Sequence, residues 1–250
     1  MSFYTNIEWT ETTWNPVTGC TKISNGCKNC YAERLAIRLK LMNNPRYKNG
    51  FKVTLHPDQV NLPLRWKKSR MIFVNSMSDL FHNEVPVDFI KSIFETMRKA
   101  QHHVFQVLTK RSNRLLDLAP QLVWTDNIWM GVTVEDTKAI KRIYDLQKTK
   151  AKIKFISAEP LLEDISRDLP LQGINWLIAG GESGPFARPI KAEWVRNLRD
   201  HCLSSDVPFF FKQWGGHNKK SSGRILDGQT WSQMPSMQAN HQTNFSLLQL

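Results

Sequence analysis

The chain is poor in cysteine and holds no long apolar run. Only four cysteines occur in 250 residues. No stretch approaches the roughly 20 apolar residues that span a bilayer. The opening MSFYTNIEWTE has no basic segment leading into an apolar one, so no secretory leader is expected there. The expectation is a cytoplasmic protein without a membrane partner, in a compartment where clustered cysteines serve as metal ligands or catalytic groups more often than as disulfides. Also missing are paired Cys or His at finger spacing, a full glycine dinucleotide fingerprint, and the lysine of a phosphate loop. With no internal repeat or low-complexity tract, one domain is expected over residues 1–235, followed by a variable tail at 236–250.

Positive charge is present in excess and unevenly placed. The formal net charge is +12. Residues 1–70 carry twelve Lys/Arg against Glu8, Glu11, Glu33 and Asp58. A basic N-terminal third attracts polyanions, which favours a nucleic acid or nucleotide-like partner over a merely solvated face.

Short β-rich apolar runs recur at MIFVNS (71–76), HVFQVLT (103–109), IWMGVTV (128–134), IKFISA (153–158), INWLIAGG (174–181) and VPFFFKQW (207–214). They are near-continuous, as in strands buried on both faces of a parallel sheet. Helical spacing fills 86–101 (Phe89, Ile93, Phe94, Met97), 135–150 (Ile140, Ile143, Tyr144, Leu146) and 191–205 (Trp194, Val195, Leu198, Cys202). YAERLAIRLKLM (31–42) reads as a helix by composition, which requires a strand before it within Ile7–Trp14. Residues 41–70, polar and interrupted by proline, read as an inserted excursion. Alternating strands and helices give an α/β fold of six or seven βα units. Periodicity leaves a partial or full parallel barrel and a flat doubly wound sheet equally open.

Parallel α/β folds build their sites at the C-terminal strand ends, and here six strands end in hydrogen-bonding or ionisable groups. These are Asn75, Ser76, Ser78 and Asp79; Gln106, Thr109 and Lys110; Thr133, Glu135 and Asp136; Ser157 and Glu159; Glu182 and Ser183; Lys212 and Gln213. Asp79 and Asp136 are equally readable as helix caps. Gly180 and Gly181 mark a tight turn on the ligand side. Lys110, Arg188 and Lys212 can meet a phosphate or carboxylate, or form ordinary ion pairs. Trp214 and Trp231, in glycine-rich surroundings, are candidates for base stacking.

Three of the four cysteines fall within eleven positions, in GCTKISNGCKNCYAERLA (19–36). Cys20, Cys27 and Cys30 admit three readings. One is a structural zinc site, completed by His217 or Cys202; another is reactive or merely buried thiols. The third is an iron–sulfur cluster on three thiolates, with one iron left open for an outside ligand.

A three-cysteine loop after the first strand of a partial barrel resembles the radical S-adenosylmethionine (SAM) enzymes. More closely, WNPVTGC…C..CYA, SMSDLFH, TKR, GVTVE, AEPLL, GGESG, FFKQWG and GR.LDG.TW are together similar to a phage-associated, radical-SAM-like family. The likeness covers about residues 6–235. It implies a partial (βα)-barrel of about six βα units, with a 4Fe–4S cluster on Cys20, Cys27 and Cys30. SAM would chelate the fourth iron and be cleaved reductively to a 5′-deoxyadenosyl radical that abstracts hydrogen from the substrate. It also implies an external electron donor such as flavodoxin or ferredoxin, and a possible protein partner encoded nearby. A nucleic-acid base or nucleotide derivative is the favoured substrate; a peptide or small metabolite, or a binding module without catalysis, is the alternative. The cysteine spacing departs from the commonest radical SAM loop, and the usual Gly-Gly-Glu after the second strand is absent. By position, Ser76, Ser78 and Asp79 take its place, Asp79 toward the SAM ammonium. Tyr31, Thr133, Glu135 and Ser157 complete the expected SAM contacts. Glu159, Glu182 and Lys212 are the candidate catalytic groups.

Overall fold

The apolar runs become neighbouring strands of a single parallel sheet, packed on both faces. In the computed structural model, which describes Thr5, residues 7–218 and residues 222–236, the strands are β1 (Thr12–Trp14), β2 (Met71–Val74), β3 (Val104–Thr109), β4 (Ile128–Thr133), β5 (Ile153–Ala158), β6 (Trp176–Gly180) and β7 (Phe209–Gln213). Of the expected tail, residues 237–250 lie outside the described residues. Every adjacent pair is parallel, and the spatial order follows the chain order. Helices α1 (Tyr31–Leu41), α2 (Val87–Lys99), α3 (Ser112–Leu118), α4 (Lys141–Gln147) and α5 (Ala192–Ser204) make the crossovers, except that β5 and β6 are joined through a 3-10 turn at Ser166–Asp168. The sheet curls into a half-barrel. The doubly wound alternative requires a reversal of strand order, which this sheet lacks.

Because strand side chains alternate, the sheet divides its apolar residues into two cores. Outward-facing Ile72, Val74, Phe105, Val107, Ile128, Met130, Val132, Ile156, Leu177, Phe209 and Phe211 join the helices in the larger core. Inward-facing Phe73, Trp129, Phe155, Trp176 and Phe210 form a second, aromatic cluster. Trp9 completes that cluster, with ring centroids 4.7 Å from Phe73 and 6.2 Å from Trp176. This explains why the strand expected within Ile7–Trp14 is only three residues long: the segment before it turns inward to fill the half-barrel. Gly131 makes room for this filling, since a Cβ there would stand 2.4 Å from the Phe155 ring.

Other boundaries moved for local reasons. The helix expected over 135–150 begins late because Asp136 caps a 3-10 turn at Thr137–Ala139, its carboxylate accepting from Ala139 N at 3.1 Å. Helix α3 is seven residues long, too short to show periodicity. The excursion at 41–70 buttresses the cysteine loop: Thr54–Leu55 pairs antiparallel with Val17–Thr18, and Cys20 N donates to Phe51 O at 3.1 Å. The last described segment covers the β7 edge, with Phe211 N donating to Trp231 O at 3.0 Å and Gln233 N to Phe209 O at 3.1 Å, which blocks edge-to-edge pairing. No helix among the described residues is long and apolar enough to cross a membrane.

Candidate active site

The aromatic filling stops short of the C-terminal strand ends. Above it lies a cavity of about 380 Å³, within the usual size range of small-molecule sites. Its apolar side is Ile7, Trp9, Phe73 and Leu108; its polar side includes Asn75, Ser76, Ser78, Asp79, Lys110, Thr133, Ser157, Glu159, Glu182 and Lys212. Cys20, Cys27 and Cys30 line the same cavity, and all three are free thiols. The fourth, Cys202, is buried in the outer core, where burial pushes its thiol up to about 12.

The cysteine loop is shaped by its glycines and held at several points. Gly19 has φ +83°, and a Cβ there would sit 2.2 Å from Lys52 O, so only glycine fits. Cys30 immediately precedes α1 and is its N-cap residue. Burial pushes the Cys27 thiol up, but the Lys110 ammonium, the Ile23 backbone, and the Ser24 hydroxyl and backbone together bring it below its ordinary value. Burial and the Asp79 carboxylate push Cys20 up to about 11, against the pull of Arg111.

A second loop clamps the first. Glu182 accepts from Arg188 Nη2 at 2.6 Å, Arg188 Nε at 2.9 Å and Asn29 Nδ2 at 2.9 Å. Arg188 Nη2 also donates to Asn25 O at 2.9 Å, and Asn29 Nδ2 to Phe186 O at 2.7 Å. Burial alone would raise the Glu182 carboxyl; the hydrogen bonds from Arg188 and Asn29 instead hold it at about 2. In the same lining, Lys212 Nζ stands 3.0 Å from Glu159 Oε1. Gly180 leaves room for that pair, because a Cβ would fall 2.8 Å from the same oxygen.

A family described as a protein of unknown function (DUF5131) matches residues 4–235. The chain belongs to this family. No curated protein matches it in sequence. Among solved structures, the DUF5131 chain resembles spore photoproduct lyase. A point mutant of that enzyme gives a TM-score of 0.55 at 12% identity, covering 85% of this chain and 79% of that one. The enzyme complexed with dinucleoside spore photoproduct gives 0.53 at 11% identity, covering 84% and 78%. At this identity the likeness is one of fold alone, a curled half-barrel of parallel strands.

Most of the expected contacts converge on the cavity, but several are already engaged. Ser78 Oγ donates to Val17 O at 2.8 Å, Ser76 Oγ to Asn15 Oδ1 at 3.2 Å and the Tyr31 hydroxyl to Ser76 O at 2.5 Å. Thr133 Oγ1 accepts from Lys110 Nζ at 3.2 Å, and Ser157 Oγ donates to Glu159 Oε2 at 3.3 Å. Glu135 lies outside the cavity lining. It is buried against Arg142 Nη1 at 2.7 Å, and a Cβ on Gly26 would meet its carboxylate at 3.2 Å, so it backs the cysteine loop. Burial would raise its carboxyl, but Lys110, Arg142 and Ser24 bring it below its ordinary value. Trp214 and Trp231 are also away from the cavity, their indole N–H groups donating to Ile225 O at 2.9 Å and Leu226 O at 3.4 Å.

Arg111 and Asn29 were not singled out from sequence, since neither ends a strand run. Three lining residues carry buried side-chain atoms without a protein partner: Trp9 Nε1, Asn75 Nδ2 and Gln213 Oε1. Among the described residues, no three His, Cys, Asp or Glu side chains converge on a point that would hold a single metal ion. The three thiols line the same cavity, and their soft donor set suits iron–sulfur ligation.

Proposed function

We propose that this cavity is the active site of a radical SAM enzyme acting on a nucleic-acid base or nucleotide derivative. The observation that carries the reading is that three free thiols from one loop line the C-terminal-end cavity of a half-barrel of this type. Cys20, Cys27 and Cys30 would hold a 4Fe–4S cluster, and the strand-end polar residues would hold SAM. Bound there, the pair supplies an electron and a hydrogen-abstracting radical. The protein's own residues position, orient and exclude water. Trp9, Phe73 and Leu108 give a dry wall on one side. Lys110, the lining lysine or arginine with no carboxylate within 4.0 Å among the described residues, meets an anionic group of the substrate. Glu159 and Lys212 form a paired carboxylate and ammonium beside it. The substrate class is supported by the basic N-terminal third and by the dinucleoside spore photoproduct named in the complex of the fold neighbour. An external donor such as flavodoxin or ferredoxin would supply the electron, and a partner protein encoded nearby would favour a peptide substrate instead.

The test is anaerobic reconstitution with iron and sulfide, followed by EPR of the reduced protein with and without SAM. A cluster signal that shifts with SAM, and is lost in Cys20→Ala, Cys27→Ala and Cys30→Ala, supports the reading. Stoichiometric zinc with no cluster overturns it and makes the loop a structural site. In the reconstituted protein, Lys110→Met is expected to weaken binding of a nucleoside monophosphate about tenfold while leaving the bare nucleoside nearly unaffected, measured by equilibrium titration.

A further inference from the structure

Asp79 and Arg111 form a buried pair that leads to one cysteine. Asp79 Oδ1 accepts from Thr109 Oγ1 at 2.7 Å and Phe81 N at 3.0 Å; Oδ2 accepts from Lys110 N at 3.1 Å and Arg111 Nη1 at 3.2 Å. A carboxylate offers about four acceptor directions, and all are taken. The guanidinium so fixed has two more attachments: Nη2 donates to Thr21 O at 3.1 Å and to Thr21 Oγ1 at 2.9 Å. Its remaining reach is toward sulfur, with Nη1 lying 3.5 Å from Cys20 Sγ. Both side chains of the pair are 9% exposed, so neither samples solvent freely. Among the described residues no guanidinium donates to the other two thiols: Cys27 pairs with the Ser24 hydroxyl at 3.7 Å, and Cys30 stands at the start of α1.

We infer that Arg111 is a positioning residue for Cys20, held by Asp79 and Thr21, and that it sets the reduction potential of the group that Cys20 ligates. The inference rests on the iron–sulfur reading of the loop. Asp79 thereby serves the guanidinium rather than the SAM ammonium. A positive donor on a ligand sulfur stabilises the more negative, reduced state of a cluster and raises its potential.

The experiment is an EPR-monitored redox titration of the reconstituted protein. Arg111→Met is expected to lower the midpoint, with the reduced-to-oxidised ratio at a fixed potential falling about tenfold, or about 59 mV for a one-electron couple. Arg111→Lys keeps the charge and loses the fork, and is expected to fall between Arg111→Met and wild type. Thr21→Val, which removes one anchor of the guanidinium and no charge, shifts the midpoint in the same direction by less. These two milder variants carry the test if Arg111→Met loses iron or fails to match the wild-type circular dichroism spectrum. Variants that keep a SAM-responsive cluster at the wild-type midpoint overturn the inference and leave the enzyme reading standing. A wild-type protein that takes up no cluster overturns both.

Discussion

Glu182 shows how far one environment moves one group. Its carboxyl is held at about 2 against an ordinary 4.5, because Arg188 and Asn29 together outweigh the cost of burial. A depressed folded-state value places the stabilisation above the unfolded pKa, so it is complete above about pH 4.5 and is lost as pH falls toward 2. The two loops are therefore expected to stay joined at pH 5 and to separate in the acid limb of a stability-against-pH curve. Glu182→Gln removes the charge from several hydrogen bonds to Arg188, and is expected to cost about 2 kcal/mol of unfolding free energy. The acid limb should flatten in that variant when urea unfolding is followed across the same pH range.

At the element scale, two glycines test the packing. β4 carries Gly131 where a methyl group would enter the Phe155 ring. Gly131→Ala is expected to destabilise the fold by about 1–3 kcal/mol through overpacking, seen as a lowered urea midpoint at an unchanged slope. Gly180, at the end of β6, is different in kind. A methyl group there meets the Glu159 carboxylate rather than a ring, and a carboxylate at the cavity rim can rotate away. Gly180→Ala is therefore expected to leave stability within about 1 kcal/mol while separating Glu159 from Lys212. The check is substrate turnover in the reconstituted protein set beside thermal unfolding; a large loss of stability with full turnover would contradict it.

At the scale of the whole molecule, the net charge of +12 makes a prediction about salt. Affinity for a nucleic acid is expected to fall linearly on a log–log plot against salt concentration, losing roughly 0.9 in slope per phosphate contacted on a duplex. A flat dependence would remove polyanions from the candidate substrates. Truncation after residue 235, where the family match ends, is expected to preserve cluster uptake and the thermal unfolding midpoint, and so to test the proposed domain boundary.

What the amino-acid order determined by itself was the parallel α/β class, the strand runs after β1, and the polar groups at their C-terminal ends. Burial on both faces leaves a plain linear record of near-continuous apolar runs. The spacing of Cys20, Cys27 and Cys30 was legible for the same reason, being local. Tertiary structure alone decided the rest. Curvature depends on how inward side chains such as Phe155 and Trp176 fill a concave face, which no period records. Trp9 reached that interior from outside any strand. Which strand-end groups face the cavity turned on contacts made in the folded chain: Glu135 was drawn to Arg142, only seven positions on, and to Gly26 in the cysteine loop, whereas Lys110 was left with a hydroxyl partner. Arg111 acquires its meaning only where the chain brings it across 91 positions to Cys20. Hydrogen bonds and ion pairs act over a few ångströms of space, and the fold sets that proximity.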